Sequence, residues 1–202
     1  MGSVRYARID DFLERMPDQL RSAIRGELVS GEQIVWIEQP IPSLYARRML
    51  HVVYFGIPWT AAVLFVVSRD MAKLYHLGWS QVGFDVLFDW LFNLGFFVAG
   101  LAMLASSYLA RRYAGRLAYL VTNRRAIVVT AGLRGSFSVR SIWPRQLSLL
   151  HRRQHVDGSG DLVFLEAALP STDEKPQPAE VGFFAIRDVK AVAEKVNDLI
   201  RY

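Results

Sequence analysis

The sequence contains no cysteine in its 202 residues. Without thiols the chain forms no disulfide, no thiolate metal site and no cysteine nucleophile. It also has no glycine-rich phosphate loop, no Gly-x-Ser-x-Gly elbow and no His-Glu-x-x-His run. These absences predict a protein that is not an enzyme, with no cofactor, no metal and no evident small-molecule substrate.

Two pairs of titratable residues have spacings that could suggest a metal site. In a strand, His151 and His155 lie about 13 Å apart, which is too far to share one ion. Asp157 and Asp161 flank a Gly-Ser-Gly sequence, and so short a loop offers too few oxygens for calcium. We interpret these residues as surface histidines and a hairpin turn.

Long apolar runs, in contrast, are present. Residues 49–67 and 90–110, 19 and 21 residues long, contain no Asp, Glu, Lys or Arg. As helices they would extend about 28 and 31 Å, close to the thickness of a bilayer's hydrocarbon core. The alternative is a pair of buried core helices in a soluble protein, but such runs usually have 10–14 residues. The sequence therefore predicts a transmembrane hairpin.

The charges beside these runs predict an orientation. Arg47 and Arg48 precede the first run and Arg111 and Arg112 follow the second, whereas the loop between the runs carries mixed charges. Because positive residues favour the cytoplasmic side, both termini are expected in the cytoplasm.

Small residues recur at helical spacing in the second run, at Gly95, Ala99, Ala102 and Ser106. Such a stripe lets another helix approach closely. One interpretation is packing against the first transmembrane helix, and the other is recruitment of a helix from a partner protein.

Polar residues occur at every fourth position where the second run begins: Asp85, Asp89 and Asn93. On one helical face they could serve a proton path or bind a cation. The alternative is an interfacial first turn, where the helix dipole favours acidic side chains.

The remaining sequence predicts four segments. Residues 1–30 form an amphipathic helical segment that could lie on the membrane or dock on the protein's own domain, and its mixed charge favours docking. Residues 31–40 hold a strand at Gln33–Glu38, 41–115 form the hairpin, and 116–202 form a mainly β domain. That domain ends with a helix that Asp188 caps. Its strands are predicted at 117–122, 126–131, 135–142, 146–151, 161–166 and 181–186.

A motif follows the hairpin: Tyr119, Thr122, Asn123 and Arg125 match Tyr-x-x-Thr-Asn-x-Arg, ahead of an apolar strand and a glycine. In this the chain resembles the bacterial pleckstrin-homology-like membrane proteins, over 116–202 and the strand and hairpin before it. The resemblance implies an α+β membrane protein of the bacterial inner membrane, with a bent β-barrel of about seven strands closed by a C-terminal helix. Since six strands follow the hairpin, the seventh is expected at Gln33–Glu38.

Arginine is concentrated in one part of the sequence, because residues 111–153 contain ten arginines, no lysine and no acidic residue. An anionic membrane attracts each basic residue near its surface by about 1 kcal/mol. The alternative is ordinary solvated surface, since the whole chain has 20 Arg and 4 Lys. Nucleic acid is not an expected partner. The residues predicted to bind lipid headgroups are Arg111, Arg112, Arg116, Arg124, Arg125, Arg152 and Arg153.

The resulting hypothesis is a non-enzymatic two-pass membrane protein whose cytoplasmic domain is a scaffold, accessory or assembly factor for a membrane protein complex, with a membrane protein partner or self-association. The alternative is a module that binds or senses anionic lipids. A lesser alternative is a transport or enzymatic role for Asp85, Asp89 and Asn93. Similarity to a family supports a fold better than it supports a task.

The predicted orientation can be tested with single cysteines, because the chain has no native one. We expect a cysteine at Ser80 to react with an impermeant maleimide in intact spheroplasts, and a cysteine at Ser171 to react only after lysis. The reverse labelling pattern would contradict the orientation.

Overall fold

The structure is a computed structural model of the chain, and it describes residues 9–77, 83–132, 135–166 and 180–201. Ser80 and Ser171 lie outside the described residues. The chain divides into two compact units: Met1–Tyr45 with Arg112–Tyr202, and Ala46–Arg111. The first unit is therefore built from two separated pieces of sequence.

The first described element is a helical stretch at 9–14. Among the described residues, the first unit contains all of the strands and, in whole or in part, four of the α-helices. In chain order the elements are α1 (Asp18–Glu27), β1 (Ile34–Glu38), α2 (Pro42–Arg47), α3 (Leu50–Leu77), α4 (Phe84–Ala114), β2 (Leu117–Thr122), β3 (Ala126–Ala131), β4 (Phe137–Ile142), a short 3-10 helix (Pro144–Gln146), β5 (Leu147–Gln154), β6 (Gly160–Glu166), β7 (Glu180–Ile186) and α5 (Val189–Arg201). The strands and the C-terminal helix predicted from alternation and turn residues are confirmed, with ends shifted by up to three residues.

The seven strands form two antiparallel sheets. Sheet A has the order β1-β2-β3-β4, and sheet B has the order β5-β6-β7. The expectation of a closed barrel is wrong, because no ladder joins the two sheets in the described part of the chain. Each sheet consists of neighbouring strands in sequence, except that the long insertion of α2, α3 and α4 separates β1 from β2.

Strand β1 is the segment expected to complete the sheet. It pairs with β2 from Ile34 opposite Thr122 to Glu38 opposite Tyr119. The register shifts between Ile34 and Trp36, which indicates a bulge in this edge strand. The pairing joins residues about eighty positions apart, so sheet A unites the two pieces of the first unit.

The central strands β2 and β3 of sheet A are buried on both faces, whereas much of β4 is exposed. Along β2, Tyr119 and Val121 face a core shared with sheet B and α5, whereas Ala118 and Leu120 face a core shared with α1 and the 9–14 stretch. Burial on both faces explains why β2 is a continuous apolar run rather than an alternating one. The predicted docking of the N-terminal helical segment on the protein's own domain is confirmed by the second core.

Helix α5 covers the first core. Asp188 Oδ1 accepts a hydrogen bond from the Ala191 amide at 3.2 Å, so Asp188 caps the helix as predicted. The buried face of α5 consists of Val189, Val192, Ala193, Val196 and Leu199.

The second unit contains two helices that are long and apolar enough to cross a membrane. The apolar stretches are Leu50–Ala72 and Phe88–Ala114, 23 and 27 residues long. At 1.5 Å per residue they measure about 35 and 40 Å, more than a bilayer's hydrocarbon core. Both extend beyond the charge-free runs from which they were predicted.

Helices α3 and α4 contact each other at positions where one helix has a glycine, which has no side chain to keep the backbones apart. A Cβ at Gly56 would lie 2.8 Å from the Cβ of Met103, and one at Gly100 would clash with Thr60. The Trp59 indole N–H donates across the contact to the carbonyl of Phe96 at 3.1 Å. We call this contact the helix seam.

The predicted stripe of small residues does not form the helix seam. Gly95 has no neighbouring atom within 4 Å of its added Cβ, and Ala102 is exposed, while Ala99 and Ser106 are half-buried. The seam lies on another face of α4, because Gly100 and Met103 are turned away from Gly95 and Ala102 by helical geometry. Packing of the whole stripe against the first helix is therefore wrong, and recruitment of a partner's helix stays a prediction.

The seam can be tested with two matched substitutions. We expect Gly100→Leu to destabilise the protein in mild detergent by about 1–3 kcal/mol, because leucine must displace Thr60 or separate the helices. Gly95→Leu is the control, and it should leave the midpoint unchanged or slightly raised, since helical glycine costs up to about 1 kcal/mol. Equal melting midpoints for the two variants would contradict the seam.

Candidate functional site

The motif that carries the family resemblance surrounds the turn between β2 and β3. The Thr122 hydroxyl accepts hydrogen bonds from the amides of Arg124 and Arg125 at 3.1 and 3.0 Å. Asn123 exchanges two bonds with Gln33: its Oδ1 accepts from the Gln33 amide, and its own amide donates to the Gln33 carbonyl, both at 3.0 Å. Threonine thus closes the turn, and asparagine fastens the turn to the residue before β1.

Tyr119, the fourth motif residue, lies in the core between the sheets. Its ring centroid is 5.0 Å from that of Phe183, and its side chain is almost fully buried. It therefore contributes packing between sheet A and sheet B rather than an exposed functional group.

Arg125 is the centre of a buried ion-pair network. Nε and Nη2 donate to the two carboxylate oxygens of Glu32, each at 3.0 Å. Nη1 donates to Glu27 Oε1 at 3.0 Å and Ser141 Oγ at 2.7 Å, and Nη2 donates to the Glu27 carbonyl at 2.8 Å. With five N–H donors in a guanidinium, every donor is used. The Trp143 ring stacks nearby, with its centroid 5.4 Å from the guanidinium carbon.

The carboxylate of Glu32 is stabilised as an anion by this network. Burial alone raises its pKa, but hydrogen bonds from Arg125, the Val29 amide and Thr122 outweigh burial and lower the pKa from 4.5 to about 2. The hydrogen bond with Glu32 is also the main reason that the pKa of Arg125 is raised. Both groups are therefore charged throughout the physiological pH range.

This burial corrects one of the predicted lipid-binding residues. Arg125 is 6% exposed, and its donors are occupied within the protein, so it does not face a lipid headgroup. The other six predicted residues are exposed: Arg111, Arg112, Arg116, Arg124, Arg152 and Arg153. Exposure permits headgroup contact, and their role in lipid binding stays a prediction.

A second buried carboxylate joins β1 to the start of α5. Glu38 Oε1 accepts hydrogen bonds from the amide and the Nη1 of Arg187 at 3.1 and 3.0 Å. Burial raises the pKa of Glu38, although the bonds from Arg187 oppose the rise. Sequence reasoning missed Glu27, Glu32, Glu38 and Arg187, because it searched for catalytic spacings and their partners lie far away along the chain.

The remaining candidates have simpler environments. Asp157 Oδ1 accepts bonds from the Ser159 amide and hydroxyl at 3.0 and 2.6 Å, which closes the β5–β6 turn and lowers the pKa of Asp157. His151 and His155 are exposed. Asp89 is exposed and Asn93 half-buried on α4, while the side chain of Asp85 lies outside the described residues.

Comparison with known proteins adds one distant neighbour. No protein-family model and no curated protein matches the sequence. Among solved structures, the chain is similar to a DUF1696 family protein with a pleckstrin-homology domain from Shewanella loihica. The two share 15% identity at a TM-score of 0.34, over 42% of this chain and 71% of the other.

The Arg125 network predicts a large loss of stability when one partner is removed. We expect Arg125→Met to lower the free energy of unfolding by about 3–5 kcal/mol, because Glu32 would then be a buried charge without its counterion. The exposed neighbour provides the control: Arg124→Met should change stability by no more than about 0.5 kcal/mol. Denaturant unfolding of the detergent-solubilised protein measures both.

Acid titration of the same proteins provides an independent check. The folded pKa of Glu32 is about 2, below its unfolded value, so its stabilisation is full above about pH 4.5 and is lost as the pH falls towards 2. The difference corresponds to about 3 kcal/mol. In Arg125→Met the hydrogen bonds from Arg125 no longer lower the pKa of Glu32, so the part of the acid-dependent loss that comes from Glu32 should shrink. Identical acid profiles for wild type and variant would contradict the assignment.

Proposed function

We propose that the chain is a two-pass inner-membrane protein with both termini in the cytoplasm, and that its pleckstrin-homology-like domain is a scaffold or assembly factor for a membrane protein complex. The order of the elements supports this description. Four strands and then three strands, each as an antiparallel sheet, precede a C-terminal helix, with the apolar hairpin inserted after β1. This is the order that the family resemblance implies.

The exposed surface of the two long helices carries the proposal. Within an 18-residue apolar segment of each helix, only 11% of the residues in α3 and 6% of the residues in α4 are buried inside the protein. Large side chains such as Phe65, Leu91 and Phe92 are more than half exposed. Water is a poor solvent for so much contiguous apolar surface, so this surface favours contact with lipid and with other membrane helices.

Part of that surface is suited to a second helix. Gly95 and Ala102 lie outside the helix seam with little side-chain bulk, which permits the close backbone approach typical of transmembrane helix pairs. Since the seam uses Gly100 and Met103, both contacts fit on α4 at the same time. A partner's helix on this face would leave the intramolecular hairpin intact.

Exposed arginines favour the second candidate function, binding of anionic lipid. Arg152 and Arg153 extend from the exposed end of β5, and Arg116 follows α4 directly. These side chains would add attraction to an anionic leaflet whatever protein partner is bound.

Purification in mild detergent followed by mass spectrometry tests the scaffold proposal. We expect a stoichiometric membrane protein to copurify with the wild type, and Ala102→Leu to reduce its yield about tenfold, because leucine keeps the helices apart. Leu101→Phe is the control, since it enlarges an exposed side chain one residue away and about 100° around the helix.

The outcomes separate the two candidates. Loss of the partner in Ala102→Leu alone supports the scaffold. Anionic lipid without a stoichiometric protein supports the lipid-binding alternative. Copurification that is equal in both variants would contradict recruitment through this face of α4.

A further inference from the structure

Strand β1 is an edge of sheet A, since β2 lies on one side of it and no strand of the described chain lies on the other. Outside the ladder with β2, none of the backbone hydrogen bonds among the described residues involves Val35, Trp36 or Ile37. An edge strand presents unpaired N–H and C=O groups with which another chain can pair. The outer side of β1 is therefore open.

Two cavities lie along this open side. The first, of about 480 Å³, is lined by the four consecutive residues Val35–Glu38. Because successive residues of a strand face opposite sides of the sheet, a cavity lined by four in a row follows the edge of the strand. The second, of about 440 Å³, adjoins the first, since Val35 and Lys195 line both. We call the two cavities together the edge groove.

Helices flank the edge groove on both faces of the sheet. The helical stretch before α1 contributes Ile9 and Phe12, which pack on the second core, and α5 contributes Ala191 and Leu199. Both helices line the space beyond β1, so the space between them has the position of a further strand, about 4.8 Å from β1. Alternate side chains of such a strand would contact one helix and then the other.

The α5 wall of the edge groove favours a basic occupant. Glu194 and Asp198 lie one helical turn apart, and both line the groove. Both are exposed, and neither forms a salt bridge within the part of the chain that the structure describes. They outnumber Lys195, the one basic residue among the described residues that line this cavity. Basic side chains on an added strand would supply the missing opposite charge.

The shape of β1 restricts what can pair with it. The strand has five residues, and the bulge between Ile34 and Trp36 interrupts its register. Short and bulged edges discourage indiscriminate pairing between chains. Contacts with the flanking helices must therefore select the segment that binds.

We propose that the edge groove binds an extended segment of a partner protein, which adds a strand to β1 and alternates apolar side chains towards the N-terminal helical stretch with basic side chains towards α5. In strand addition the main chain provides affinity, and alternate side chains provide specificity. The proposal rests on the scaffold function proposed above. It gives the first unit a docking surface of its own, separate from the exposed face of α4.

The test uses the full-length protein in a neutral detergent and three fluorescent nine-residue peptides. The first peptide alternates valine with lysine, and the second alternates valine with glutamate. The third repeats the first with every backbone amide N-methylated, so it cannot donate hydrogen bonds to a ladder. We expect fluorescence anisotropy to show that the first peptide binds at least tenfold more tightly than the other two, because it alone has both the charge and the amides.

Hydrogen exchange followed by mass spectrometry locates the bound peptide. We expect the amides of β1 to exchange more slowly when the first peptide is bound, because their outer side then belongs to a ladder. The amides of the β5–β6 turn should exchange at an unchanged rate.

Charge reversal on α5 tests the selectivity. We expect Glu194→Lys with Asp198→Lys to weaken binding of the first peptide about tenfold and to strengthen binding of the second, because two attractions become repulsions. The control is Asp10→Lys with Glu14→Lys, which reverses two exposed acidic residues one turn apart that do not line the groove. It should bind the peptides as the wild type does. Thermal unfolding shows whether each variant keeps its fold, and the comparison with the N-methylated peptide needs no variant.

The proposal is overturned if the wild type binds the first and third peptides equally, if it binds none at millimolar concentration, or if the two double variants bind alike. A dimer that the first peptide dissociates would mean that a second copy occupies the edge, and would overturn the choice of a partner protein. Peptide binding without a copurifying membrane protein would support the groove and contradict the scaffold. Copurification without peptide binding would support the scaffold and contradict the groove.

Discussion

The ion pair between Arg125 and Glu32 joins parts of the chain that are 93 residues apart. An isolated charge in this position would be costly, so the pair is stable only when both residues are in place. Glu32 belongs to the connection between α1 and β1, and the same guanidinium holds the end of α1 through Glu27. This buried cation therefore helps to fix the position of β1, and with it the completion of sheet A, together with the ladder to β2.

Completion of sheet A has consequences for both of its faces. With β1 in place, Ile37 extends the core under the N-terminal helices, and Trp36 packs on the core between the sheets, 5.5 Å from the Phe183 ring. The N-terminal helices are amphipathic and too short to be stable alone. They pack on the face of sheet A that β1, β2 and β3 form together. This face is complete only when β1, which precedes the hairpin in sequence, pairs with β2, which follows it.

Local patterns were sufficient to predict most of the elements. Each of these patterns lies within a few residues of the element that it predicts. They are the alternating apolar residues of the strands, the glycines of the turns and Asp188 at the start of the last helix. The role of Arg125 was beyond such reasoning, since a charged residue in an arginine-rich stretch has the same sequence pattern whether it is exposed or paired. Its partner Glu32 is distant in sequence. Likewise, the spacing of Gly95 and Ala102 indicates a face of α4 but not which helix covers that face.

The insertion between β1 and β2 also affects how the protein is made. During synthesis the N-terminal helices and β1 leave the ribosome before the apolar hairpin, and β2 and β3 follow it. The first unit must therefore wait for about eighty further residues before β1 finds its neighbour, and closing so long a loop delays folding. Until then β1 presents unpaired backbone groups, and the apolar sides of two helices are uncovered. The order of translation thus allows the first unit to be completed only after its own two-helix insertion has been synthesised.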